Sequence, residues 1–81
     1  MSVHTFTLVL EGSVSDQDRF ADQLFEAGCD DALLLERDGV YYLDFDRDAA
    51  TMLDAVVSAV RDVNGAGAGV RVLRVGPDDR A

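Results

Sequence analysis

The chain has 81 residues and a mass of 8.8 kDa, which leaves room for one domain. Sixteen Asp and Glu face seven arginines and no lysine, for a net charge of −9, so Schiff-base chemistry and a phosphate-loop lysine are both excluded. The hydrophobic fraction of 48% is that of a folded domain, and no apolar run nears the ~20 residues needed to span a bilayer.

Val3 to Leu10 alternates, with Phe6, Leu8 and Leu10 on one face and Thr5, Thr7 and Val9 on the other, which predicts a strand. The same stretch lacks the basic start and continuous apolar core of a signal peptide, so a cytoplasmic protein is expected. Gly12 and Ser13 break the strand. Ser15 is placed to cap a helix whose first turn holds Asp16 and Asp18, at the end where the helix dipole favours negative charge. Its apolar stripe is Phe20, Leu24 and Ala27, widened by Ala21 and Phe25, and Gly28 is suited to end it.

Ala32 to Arg37 reads as a second strand and Val40 to Asp46 as a third, joined at Asp38-Gly39, a pair that favours a tight hairpin. In the third, Tyr41, Leu43 and Phe45 share one face, and Tyr42, Asp44 and Asp46 the other. Apolar residues at 52, 53, 56, 57, 60 and 63 predict a second helix over 51–63, capped by Asp48 and stopped by Asn64-Gly65. Gly65 to Gly69 is expected to be a flexible connection and Val70 to Val75 the last strand. Residues 76–81 are expected to form a flexible tail.

The order β-α-β-β-α-β repeats one pattern, strand–helix–strand, over residues 3–37 and 40–75. It predicts a single α+β domain of the ferredoxin-like kind: a four-stranded antiparallel sheet with both helices on one face. Right-handed crossovers place the first and third strands in the centre. Helices on both faces would require apolar residues on both sides throughout, which Asp44, Asp46 and the threonines deny.

The motifs that resemble chemistry each fail on physical grounds. Asp44, Asp46 and Asp48 open like a calcium loop, but Ala49 stands where the loop needs glycine and Ala55 where it needs a closing glutamate. On a strand, Asp44 and Asp46 would lie about 7 Å apart on one face, enough at most for a weak divalent ion. Cys29 has no second cysteine for a disulfide, and the single histidine, His4, is remote in sequence, so a packed thiol is expected rather than a nucleophile. The glycines from 65 to 69 follow a helix, whereas a phosphate cradle precedes one. Acylphosphatase shares the topology but needs an arginine-bearing loop after the first strand; Glu11 to Ser15 holds an acid and no base. No catalytic residue, metal site or cofactor is expected.

The second strand carries the informative feature. Ala32-Leu33-Leu34-Leu35 puts leucine on both faces in either setting, which a one-sided sheet does not need. Leu33, Leu35, Tyr42 and Leu73, with Arg71 and Arg74 at the rim, predict a partner surface on the side away from the helices. The charge is uneven as well: residues 28–48 carry −5, whereas 64–77 carry +2. Such a surface repels phosphate backbones, so no direct binding to nucleic acid is expected.

Two stretches carry a family resemblance. One is Leu24 to Ala32 followed by Arg37-Asp38-Gly39-Val40-Tyr41-Tyr42-Leu43-Asp44-Phe45-Asp46-Arg47. The other is Ser58 to Val63 followed by Val70 to Val75 and Pro77-Asp78-Asp79. Together, over residues 4–79, they resemble the N-terminal region of small bacterial helix-turn-helix DNA-binding proteins. In those proteins a helix-turn-helix segment follows the Pro-Asp-Asp, where this sequence reaches Arg80-Ala81. The resemblance therefore implies a βαββαβ module for assembly or regulation, without the DNA-reading part.

Three functions are consistent with these residues. The first is a non-enzymatic interaction module that pairs with a protein partner or with itself as a homodimer. The second is a ligand-sensing regulatory domain with its site at Glu11 to Ser15. The third is an acidic, antitoxin-like or DNA-mimicking inhibitor that presents Asp16, Asp18, Asp22, Asp30, Asp31 and Asp38 to a basic protein.

Overall fold

A computed structural model describes residues 1–12, 14–66 and 69–76. The elements run β1 (Ser2–Gly12), α1 (Gln17–Glu26), β2 (Ala32–Arg37), β3 (Val40–Ala49), α2 (Met52–Gly65) and β4 (Val70–Gly76). The strands form one antiparallel sheet in the order β2-β3-β1-β4. This is the ferredoxin-like α+β architecture, with β1 and β3 central. The shortest dimension of the Cα trace, 17 Å, accommodates the sheet and one helix layer.

Alternation in the strands decides which side is covered. Phe6, Leu8 and Leu10 of β1 and Leu43 and Phe45 of β3 meet Phe20 and Leu24 of α1 and Ala55, Ala59 and Val63 of α2 in one buried cluster. Phe6 and Phe45, directly opposite in register, stack with centroids 5.2 Å apart, and Phe20 meets the Tyr41 ring edge-on at 5.8 Å. The small Ala55 and Ala59 let α2 lie close on the sheet. The β2–β3 hairpin turns at Asp38 (φ 54°) and Gly39 (φ 81°), the paired positive φ angles that make Asp-Gly the favoured turn.

Several boundaries and faces differ from the sequence reading. β3 continues to Ala49, so Asp48 lies in the strand and Thr51 caps α2, its hydroxyl accepting from the Asp54 N–H. Asp16, not Ser15, caps α1, by accepting from the Arg19 N–H. The buried seam of α2 is Ala55, Ala59 and Val63 flanked by Val56 and Val60, while Leu53 is 71% exposed and Met52 and Val57 also face out. On α1, Phe25 and Ala21 are exposed rather than part of the stripe. A helix stripe is broad, and its bury-or-expose edge is set by where the sheet lies. The glycine connection at 65–69 falls partly, and the tail beyond Gly76 wholly, outside the described residues.

Candidate functional site

The side of the sheet opposite the helices is read from the strand register, because directly paired residues share a face. One row runs Leu35, Tyr42, Val9 and Arg74 across β2, β3, β1 and β4; the next runs Leu33, Asp44, Thr7 and Gly76. A register shift between Val9 and Leu10 makes Leu73 the extra residue of a β-bulge. Val72 packs on the core and Arg74 pairs with Val9 on the far face, so the bulge presents Leu73 and Arg74 together on the open side. The residues singled out from sequence thus share one surface. Val9 is its buried centre, Leu35 and Tyr42 are half-buried, and Leu33 and Leu73 are more than half exposed.

The polar residues of this face are sorted along the strands. Arg37 and Arg71 stand at the end shared by the β2–β3 hairpin and the close of β1, and Arg74 lies one row further in, opposite Val9. Arg71 donates from Nε to Glu11 at 2.8 Å, and the Arg37 guanidinium lies 5.7 Å from the Tyr42 ring centroid. Asp44, Asp46 and Asp48 succeed one another toward the other end of β3.

The Thr5 hydroxyl donates to Asp46 at 3.0 Å and the Thr7 hydroxyl to Asp44 at 2.6 Å. Asp44 is therefore buried rather than facing water, its desolvation offset by a charge-assisted hydrogen bond. Among the described residues, no three of the His, Cys, Asp and Glu side chains gather as a metal centre would require.

The most connected polar side chain is one the sequence reading passed over. Arg47 projects from β3 to the helix side and donates five hydrogen bonds. Two go to Asp31, at 2.8 and 2.9 Å; the others reach Asp62 at 2.9 Å, Ser58 Oγ at 3.1 Å and the Gly28 carbonyl at 2.8 Å. Every guanidinium N–H has an acceptor, so a buried charge is fully compensated. The bond to Asp31 is foremost in holding the guanidinium in its charged form. The cluster ties the end of α1, the α1–β2 loop, β3 and α2 together, and its role is structural. Its only sequence signal was a cation among three aspartates, which a calcium-loop reading also absorbs.

Cys29 is buried next to this cluster. Burial, reinforced by the Asp62 charge, pushes its thiol up to about 11, the opposite of what a nucleophile needs. His4 is engaged elsewhere, its Nε2 lying 3.2 Å from the Ala49 carbonyl oxygen. A hollow of about 280 Å³ opens between α1 and β2, lined by Leu24, Phe25, Cys29, Leu34 and Leu43 among others, with Asp22 and Asp30 also on its wall.

Of the acidic residues expected to face a basic partner, Asp31 is engaged by Arg47 and Asp16 caps α1, leaving Asp18 and Asp22 exposed one turn apart on α1, Asp30 in the loop after it and Asp38 at the β2–β3 turn. Glu11, in the segment considered for ligand sensing, is bonded to Arg71. No helix among the described residues is long and apolar enough to cross a membrane. No family profile, curated protein or solved structure matches the chain.

Proposed function

We propose that this chain is a non-enzymatic, cytoplasmic protein-interaction module whose open sheet face is covered by a protein partner in a regulatory assembly. One observation carries the reading. Leu33, Leu35, Tyr42, Val9 and Leu73 are neighbours on a side of the sheet that, among the described residues, no helix covers, with arginines along one border. A one-sided sheet in water carries alternating polar residues on its wet face, and contiguous apolar area there is the usual mark of a binding surface. The resemblance to the N-terminal region of bacterial helix-turn-helix proteins agrees with a module that assembles rather than reacts.

The test is affinity capture from extract of the source cell with three baits: the native chain, Leu33→Ser/Leu35→Ser, and the helix-side control Leu53→Ser/Val57→Ser. A partner held by the native and helix-side baits and lost by the sheet-face bait is the expected result. Capture lost only with the helix-side bait would overturn it. The acidic-inhibitor reading is favoured instead if capture survives Leu33→Ser/Leu35→Ser and is abolished by Asp18→Asn/Asp22→Asn and by salt.

A further inference from the structure

We infer that the occupant of the open face is a second copy of this chain, packed face to face about a two-fold axis that runs across the strands rather than along them. This inference rests on the sheet-face reading above and adds the identity of the partner and its orientation.

The charge pattern is the ground for both. Each copy carries −9, so the overall field opposes self-association, and a pairing of two copies must put unlike charges together locally. The open face is built to do so in one orientation only. Arg37, opposite Val40, marks its basic end, where Arg71 is paired with Glu11; Asp46, opposite Thr5, and Asp48, opposite Val3, mark its acidic end.

Two sheet faces can be brought together by a two-fold axis lying in the plane between them. An axis along the strands would superpose the acidic end of one copy on the acidic end of the other, and arginines on arginines. An axis across the strands reverses the second copy, so the arginine end of each lies over the aspartate end of the other, twice per dimer.

Register then locates the axis. Leu33 and Leu35 occupy neighbouring rows of β2 on this face. An axis passing between those rows sets Leu33 of each copy against Leu35 of the other, and carries Arg37 toward Asp46. The half-exposed leucines are buried at the centre and the ion pairs lie at the two rims. Leucine on the outer face of an edge strand, which the isolated domain does not need, is accounted for by this arrangement.

Sedimentation equilibrium on the full chain tests both parts. The native chain is expected to dimerise in the micromolar range, and the exposed-site variants Arg37→Glu and Asp46→Arg each to weaken the dimer by about tenfold or more. The chain carrying both changes, in which the reversed charges face one another again, is expected to recover to within about threefold of the native constant.

Cysteine cross-linking gives an independent readout that does not depend on the charge variants. Arg37→Cys mixed with Asp46→Cys and treated with a short bismaleimide, which spans the ~10 Å between packed sheets, is expected to yield the mixed cross-linked dimer, with little of either like-with-like product.

Like-with-like cross-links, or single charge variants that dimerise as the native chain does, would overturn the orientation. If Leu33→Ser/Leu35→Ser still abolishes the dimer in that case, the sheet-face reading stands. A native chain that stays monomeric at about 500 μM overturns the second copy as occupant and leaves the sheet face to be judged by affinity capture. A dimer unaffected by Leu33→Ser/Leu35→Ser overturns both.

Discussion

Arg47 and Gly28 form the tightest residue-level dependence in the chain. Gly28 has φ +109°, and a Cβ there would lie 2.9 Å from Asp62 Oδ2, the carboxylate oxygen that holds Arg47. Any side chain at 28 is thus both strained and in collision with an acceptor of the buried cation. Arg47→Met leaves Asp31 and Asp62 without their common partner and is expected to cost about 3 kcal/mol in urea unfolding. Gly28→Ala is expected to cost about 2 kcal/mol. Because both act on Asp62, a double-mutant cycle is expected to show them less than additive.

Cys29 supplies a pH prediction. With the folded thiol at about 11 against 9.0 for a thiol exposed to water, the unfolded chain releases its proton first as pH rises. Stability is therefore expected to fall between about pH 9 and 11, and Cys29→Ala to flatten that limb in denaturant titrations at stepped pH. Neither dependence was legible in sequence. The spacing from Gly28 to Asp31, Arg47, Ser58 and Asp62 crosses three elements, and nothing periodic marks it.

At the scale of elements, the strands were readable in place and face: β2 matches at both ends, whereas β3 runs three residues further than its alternation suggested. Alternation of Phe6, Leu8 and Leu10 against Thr5, Thr7 and Val9 leaves one register that buries an apolar face. The helices were readable in place and less so in rotation. Eight apolar side chains on α2 allow more than one buried arc, and the sheet selects the one that brings Ala55 and Ala59 into contact.

That choice makes a sharp contrast. Leu53→Ser, at a site 71% exposed, is expected to change stability by less than about 0.5 kcal/mol. Ala59→Leu, at a site with no exposure, is expected to cost about 2–3 kcal/mol by overpacking. Thermal melts of the two variants side by side check this. Capping followed the same division: a Ser or Asp near each helix start was legible, but whether Asp16 or Ser15, Thr51 or Asp48, does the capping depends on where the preceding chain leaves the sheet.

For the whole molecule, the charge has two consequences. The surplus of carboxylates repels itself in the folded state, so raising salt from about 0.02 to about 0.5 M is expected to raise the melting temperature by screening. The same salt acts on a dimer paired through Arg37 and Asp46 in two opposed ways, weakening its rim contacts and screening the repulsion between two chains of −9 each. Calorimetry and sedimentation at matched salt separate the two effects. Which surface is left bare is also a whole-molecule property. Leucine at 33, 34 and 35 signals two apolar faces, but only the β2–β3–β1–β4 order puts Leu35 in a row with Tyr42 and Val9 and Leu33 in the next row, and only the bulge adds Leu73.

The sequence by itself determined the element order, the four-stranded antiparallel sheet and the hairpin at Asp38-Gly39. All of these follow from short-range rules, since alternation, helical spacing and turn preference act over a few residues. The tertiary structure alone decided that Arg47 is a buried tie rather than part of a metal loop, that Asp44 is shielded by Thr7, and that Ala55 and Ala59 form the seam of α2. It also decided that the arginines and aspartates of the open face separate toward opposite ends. Each of these depends on which strands are neighbours and in what register, and that is fixed by burial of the core as a whole rather than by any local stretch of chain.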